Sequence, residues 1–323
     1  MPLPTFLIIG AMKSGTSSLW RYLSAHPQVY MSVDKEPGFF VERLTWNNGL
    51  DWYRSLFDAA GDAIAVGEGS TSYTKAPMHA GVPARIASVL PDVRMIYLVR
   101  HPIERMVSQY IHRRSSGKET HPIEEALLAK PNYVDLSRYA YQIEQFTEHF
   151  DRTQILVITS EALRDRRAAT MARVESFIGV ETGGQRAGID TVHHRSADKR
   201  IRTRTLDRLR QRTLVRTLRR HAPLPARRVA SRLLSKKASR EHVAISDELR
   251  ETLTEQLPRR SHGSAPSSAM DSTAGASPDP PRGPARRRNQ EFTLRKRTRN
   301  PALLAFSQVH GFLHAFAGPG ALF

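Results

Sequence analysis

Three stretches of this chain carry residue types suited to chemistry on an anion. The first is GAMKSGTSSLW, residues 10–20. Gly10 and Gly15 allow backbone to approach an anion closely, Lys13 supplies charge, and Thr16, Ser17 and Ser18 supply hydroxyls. The two glycines have the spacing of the phosphate loop G-x-x-x-x-G-K-[ST], yet the lysine precedes the second glycine instead of following it. The second stretch is YLVRHPIERMVSQY, where Arg100 and Ser108 suit a phosphate monoester through a charge-assisted bond and a hydroxyl. The third is DKEPGFF, residues 34–40, where a Glu36 carboxylate held near apolar rings can act as a general base if it lies beside the transferred group. Each has a plainer alternative: a βα turn with an exposed lysine, a strand-end arginine in a surface ion pair, and a solvated loop glutamate.

The elements around these residues decide whether they meet. Phe6–Ile9 is a short apolar run ending at Gly10, and Ser17–Leu23 follows with helical spacing, Leu19, Trp20 and Leu23 on one face, as far as His26-Pro27. Strand, glycine loop and helix N-terminus present backbone N–H groups to an anion. Val29–Met31 reads as a second strand, AIAVGEGSTSY as strand then loop, residues 93–100 as the clearest strand, and QILVITSEAL as another. Helices are expected over 50–60, over 76–91 with an interruption near Pro83, over IERMVSQYIHRR, over LSRYAYQIEQFTEHF, and over AATMARVESFIGV ending at Gly179. Strands that are continuous apolar runs alternating with helices predict an α/β, three-layer, P-loop-like fold with a central parallel sheet flanked by helices. Arg100, at the carboxyl end of a parallel strand, would then face the crevice where such sheets bind ligands. Trp46, Trp52 and Tyr53 either line a sugar site or belong to the core.

The 323 residues, 40% of them hydrophobic, suffice for one large domain plus further material. With no cysteine there is no disulfide framework, thiolate metal site or cysteine nucleophile. The adjacent His193-His194 pair is poor metal-ligand spacing, so no metal is expected. No apolar run reaches the roughly 18 residues of a membrane helix, and the N-terminus lacks a basic leader, so a cytoplasmic location is expected. The formal charge of +18 is uneven: residues 1–180 hold 20 Lys+Arg against 19 Asp+Glu, the remainder 29 against 12. An arginine-rich stretch at 200–220 has leucines at helical spacing, SDELRETLTEQL reads as a helix capped by Ser246, and from Ser261 the Ser/Pro/Gly/Ala composition reads as disordered. The expected division is a domain over 1–258, basic from about 195, and a low-complexity tail over 259–323.

In order along about 175 residues, FLIIGAMKSGTSSLWRYLSAHPQV, KEPGFF, GEGSTSY, IYLVRHPIERMVSQY and QILVITSEAL…FIGV resemble the sulfotransferases that use 3′-phosphoadenosine 5′-phosphosulfate. The branch most similar is that of the heparan sulfate N- and 3-O-sulfotransferases and their bacterial relatives. The resemblance implies that the first loop holds a 5′-phosphosulfate, with no γ-phosphate. Lys13 would hold the 5′-phosphate and the bridging oxygen, and Ser14, Gly15, Thr16, Ser17 and Ser18 would cradle the phosphate. Arg100 and Ser108 would bind the 3′-phosphate, Glu36 would take the acceptor's proton, and Tyr139 would lie near the nucleotide. The acceptor would be a hydroxyl or amine, on a carbohydrate or another metabolite.

The chain departs from that pattern in three places. Gly69 stands where the family often has a lysine after the glutamate, which bears on acceptor contacts. The basic loop that closes over the nucleotide is represented only by HHRSADKRIR, with Lys199 and Arg200 as candidates. Where chains of the family usually end soon after a helix like ISDELRETLTEQL, this one enters a Ser/Pro/Gly/Arg-rich tail near Pro258, and one hypothesis is that the tail is a foreign or out-of-frame extension. Two other functions fit parts of the sequence: a P-loop nucleotide kinase, against which the lysine position counts, and a basic protein that binds nucleic acid or another polyanion through its second half. The basic half would equally suit peripheral contact with a membrane or an anionic glycan.

Overall fold

Alternation along β1 (Phe6–Gly10) sends Leu7 and Ile9 into one core and Phe6 and Ile8 into another, so the strand is buried on both faces. The computed structural model describes residues 3–184, 200–202, 235–237 and 245–257. β1 lies at the centre of a five-stranded sheet with β2 (Val29–Met31), β3 (Ala65–Gly69), β4 (Arg94–Val99) and β5 (Ile155–Thr159), in the order β2-β3-β1-β4-β5. Every pairing is parallel, with Leu7 opposite Glu68 on one side and Met95 on the other. The chain builds one side of β1 and then crosses to the other, so the carboxyl end of β1 is the sheet's switch point.

Helices cover both faces, as predicted. On one, α2 (Gly49–Ser55), α3 (Val82–Val89) and α7 (Tyr139–Thr147) pack Tyr53, Ile86 and Ile143 against Leu7, Ile9, Tyr97 and Val99. On the other, α1 (Thr16–Ser24) and α9 (Arg167–Ile178) pack Leu19, Leu23 and Val174 against Phe6, Ile8, Ile96 and Leu98. Each such side chain contributes about 1.5–3 kcal/mol on burial. A third cluster joins α4 (Pro102–Ser115), α5 (Ile123–Ala129) and α6 (Asn132–Asp135) to α10 (Asp247–Gln256) through Ile103, Met106, Leu127, Leu249 and Leu253. Ser246 caps α10 as expected, its hydroxyl accepting from Leu249 N–H at 3.2 Å.

Several expectations are corrected. Pro83 does not interrupt a helix: α3 begins at Val82, with the proline in its first turn, where a missing N–H costs nothing. The 50–60 helix stops at Ser55, and a separate 3-10 turn follows at Asp58–Ala60. The strand read through QILVITSEAL ends at Thr159, whose hydroxyl caps a short helix, α8 (Ser160–Asp165). Residues 200–202, read as part of a helical stretch, form a strand, β6 (Arg200–Arg202), paired antiparallel with β7 (Ser235–Lys237). The tail expected over 259–323, and the rest of the arginine-rich stretch, lie outside the described residues.

Candidate active site

Residues that follow the carboxyl ends of all five strands of the parallel sheet converge on one cleft of about 430 Å³. Lys13, Gly15, Thr16 and Ser17 come from the turn after β1, Thr71 and Lys75 from the segment after β3, Arg100 from the end of β4, and Ser160 from the end of β5. Ser108 and His112, four residues apart on one face of α4, and Glu36, from the loop after β2, complete its walls.

The loop after β1 is built for close approach. Ala11 N–H donates to Leu98 O at 2.7 Å, which pins the loop to β4. Lys13 takes φ +72° and Gly15 φ +101°, both left-handed, and Gly15 caps α1 with no side chain on the helix N-terminus. The first-turn N–H groups of a helix have no intrahelical partner, so this end carries partial positive charge directed at the cleft. Ser14 is fully buried and does not line the cleft, and Ser18 does not line it either.

Arg100 sits where predicted, its guanidinium 3.3 Å from Glu104 one turn along α4. Tyr139 does not line the cleft. It is buried at the start of α7, where its hydroxyl donates to Arg100 O at 2.7 Å and fixes the backbone that carries the guanidinium. Burial pushes that phenol up to about 12. Glu36 also differs from expectation. Its side chain is 42% exposed, and Phe39 and Phe40 turn away into the core, where Phe39 stacks on Tyr53 with centroids 4.2 Å apart. Its partners are polar: Thr71 Oγ1 at 3.2 Å and Lys35 Nζ at 3.3 Å. Lys35 also donates to Ser17 Oγ at 2.7 Å, which ties the Glu36 loop to the first turn of α1. Trp46, Trp52 and Tyr53 belong to the aromatic core and not to the cleft. Lys199 lies outside the described residues, and Arg200 is described only as part of β6, which runs beside α4.

Sequence reasoning missed Lys35, Thr71, Lys75, His112 and Ser160. His112 carried a signal, since it stands one turn after Ser108, and Ser160 follows directly on a parallel strand. Lys75 carried none. Burial lowers the pKa of its ammonium, while the charge of Glu36 acts in the opposite direction. The cleft therefore holds three cationic side chains and one carboxylate around an open helix N-terminus, an arrangement suited to an anionic donor and a proton acceptor.

A family model described as a sulfotransferase domain matches residues 3–257. Heparan sulfate glucosamine 3-O-sulfotransferase 3B1 of Homo sapiens is 31% identical over 189 residues, covering 55% of this chain and 47% of that protein. Bifunctional heparan sulfate N-deacetylase/N-sulfotransferase 4 of Mus musculus is 28% identical over 198 residues, covering 55% of this chain and 22% of that protein. The chain thus spans about half the length, or less, of these curated relatives. Among solved structures, a sulfotransferase from Alicyclobacillus acidocaldarius superposes with a TM-score of 0.54 at 28% identity, covering 60% of this chain and 87% of that one.

Proposed function

Because the chain belongs to the sulfotransferase domain family, we propose that it moves a sulfuryl group from 3′-phosphoadenosine 5′-phosphosulfate to a hydroxyl or amine acceptor. One observation carries this reading: Lys13, Glu36 and Arg100, which follow three different strands, line the same cleft at the switch point of the sheet. The N-terminus of α1 with Lys13, Thr16 and Ser17 would receive the 5′-phosphosulfate. Arg100, with Ser108 on α4, the helix that follows it, would receive the 3′-phosphate.

Sulfuryl transfer resembles phosphoryl transfer, so positioning and electrostatic support make up most of the catalysis. Glu36 takes the proton from the acceptor O–H or N–H. The acceptor atom forms its bond to sulfur in line with the departing bridging oxygen. The sulfur–oxygen bond to the 5′-phosphate breaks, and its electron pair leaves on adenosine 3′,5′-bisphosphate, whose charge Lys13 supports. The relatives whose names specify heparan sulfate point to a glycan as acceptor. A glycan bearing acidic groups would also be drawn by the basic second half of the chain.

Calorimetric titration of adenosine 3′,5′-bisphosphate, ATP and 5′-AMP tests the donor site. The bisphosphate should bind most tightly. Loss of one charge-assisted contact, worth about 1.5–3 kcal/mol, should weaken it about 10- to 100-fold in Lys13→Ala and in Arg100→Ala. Only Arg100→Ala should abolish the advantage over 5′-AMP. A preference for ATP would overturn the assignment.

A further inference from the structure

Glu68 is the one acidic residue of β3 and is fully buried, in an aromatic core that the proposed chemistry does not use. Register with Leu7 places it on the face that packs Tyr53, Tyr73, Phe39 and Phe40. A buried carboxylate is costly unless its oxygens are paired. Here the hydroxyls of Tyr53 and Tyr73 both donate to Oε1, and Ser70 Oγ donates to Oε2 at 2.9 Å.

Ser70 links this cluster to the cleft. Its hydroxyl oxygen accepts from Gly38 N–H at 2.8 Å, a buried bond. The segment that carries Glu36 is held to β3 and the residue after it by three bonds: Ser32 N–H to Gly67 O at 2.9 Å, Glu36 N–H to Gly69 O at 3.1 Å, and Gly38 N–H to Ser70 Oγ. The first two are backbone bonds that any sequence would make. The third depends on a side chain whose hydrogen is directed by Glu68. It closes a turn in which Glu36 is held at φ +63° and Gly38 at φ +66°, a conformation that a glutamate adopts only when its surroundings impose it.

We propose that Glu68 is a positioning residue for Glu36: its carboxylate orients Ser70 Oγ to accept from Gly38 N–H, and that bond sets the turn that aims Glu36 into the cleft. The inference rests on the reading of Glu36 as the base. Burial, with a further contribution from the charge of Glu36, pushes the Glu68 carboxyl up to about 7, while its bonds to Tyr73, Ser70 and Tyr53 hold it down. The groups facing it are therefore Tyr53 on α2, Ser70 and Tyr73 beyond β3, and Glu36 across the loop. Above that pH the carboxylate is a charged acceptor for Ser70. Below it, the proton removes the charge assistance and one hydroxyl must turn away.

Two measurements test this. In wild type, the Gly38 amide resonance should shift with pH about a midpoint near 7, and in Glu68→Gln it should stay flat. Steady-state rates should then show kcat lowered about tenfold at pH 8 in both Glu68→Gln and Ser70→Ala, the scale expected of a small displacement of a reacting group. Binding of adenosine 3′,5′-bisphosphate should stay within about twofold in both, which reports an intact fold. A Gly38 resonance indifferent to pH, or one that titrates equally in Glu68→Gln, overturns the proposal, as does unchanged kcat in both variants. Glu36→Gln separates the two readings. Full activity there overturns the base assignment, whereas activity lost in Glu36→Gln and kept in Glu68→Gln overturns the positioning role alone.

Discussion

Glu68 has a consequence for stability that is independent of catalysis. The unfolded carboxyl ionises near 4.5 and the folded one at about 7. Between those values the folded chain holds a proton that the unfolded chain has released. Stability therefore falls as pH rises from 4.5 to 7, by about 3 kcal/mol in all. Glu68→Gln does not titrate, so relative to wild type it should gain roughly that amount between pH 5 and pH 8. Urea unfolding at the two pH values checks this, and an equal difference at both would show that burial does not hold the proton. Residues of this kind were the least legible in the sequence. Lys13, Arg100, Ser108 and Glu36 stood in motifs whose residue types suggest a role, but Glu68 in GEGSTSY gave no sign of its environment: Tyr53 comes from α2, and nothing in the motif says that Ser70 and Tyr73 fold back onto the carboxylate. Tyr139 was expected near the nucleotide, but the sequence could not say through which atom it would act. Its contact is with the Arg100 carbonyl.

At the scale of elements, the parallel sheet was readable because strands buried on both faces leave long apolar runs, and β1 and β4 are such runs. What failed was short or non-local. No element was assigned to α5 and α6, which have only 7 and 4 residues, fewer than a helical period needs to declare itself. β6 was read as helix because its partner, β7, lies more than thirty residues on and no local pattern announces it. The two faces of β3 also obey different rules. Glu68 faces the aromatic core, while Gly67 faces Phe6 of β1, whose ring lies where a Cβ on Gly67 would be. Gly67→Ala should therefore destabilise the sheet by about 1–3 kcal/mol, as overpacked cores do. Phe6→Leu in the same chain should recover part of that loss, a coupling that a double-mutant cycle in urea would measure. Additive effects would mean that the alanine is accommodated by movement of β3 and not by the ring.

At the scale of the whole molecule, charge separates what the fold unites. Residues 1–180, which supply the described walls of the cleft, are nearly neutral, while the remaining 143 carry the excess of Lys and Arg. Attraction of a long anionic acceptor by many exposed cations releases counterions, and its strength falls steeply with salt. Binding of the proposed donor nucleotide in a cleft lined by Lys13 and by Arg100, whose side chain is only 18% exposed, would be screened much less. Raising salt from about 50 to 200 mM should thus weaken binding of a sulfated polysaccharide by at least an order of magnitude. Over the same range the affinity for adenosine 3′,5′-bisphosphate should change several-fold at most. Parallel titrations on the full chain decide the matter. If the polysaccharide binds with the same shallow salt dependence as the nucleotide, the basic half takes no part in acceptor capture and the cleft alone must select it. If both fall steeply, the donor site depends on the basic half as well, which would place that half against the nucleotide during turnover.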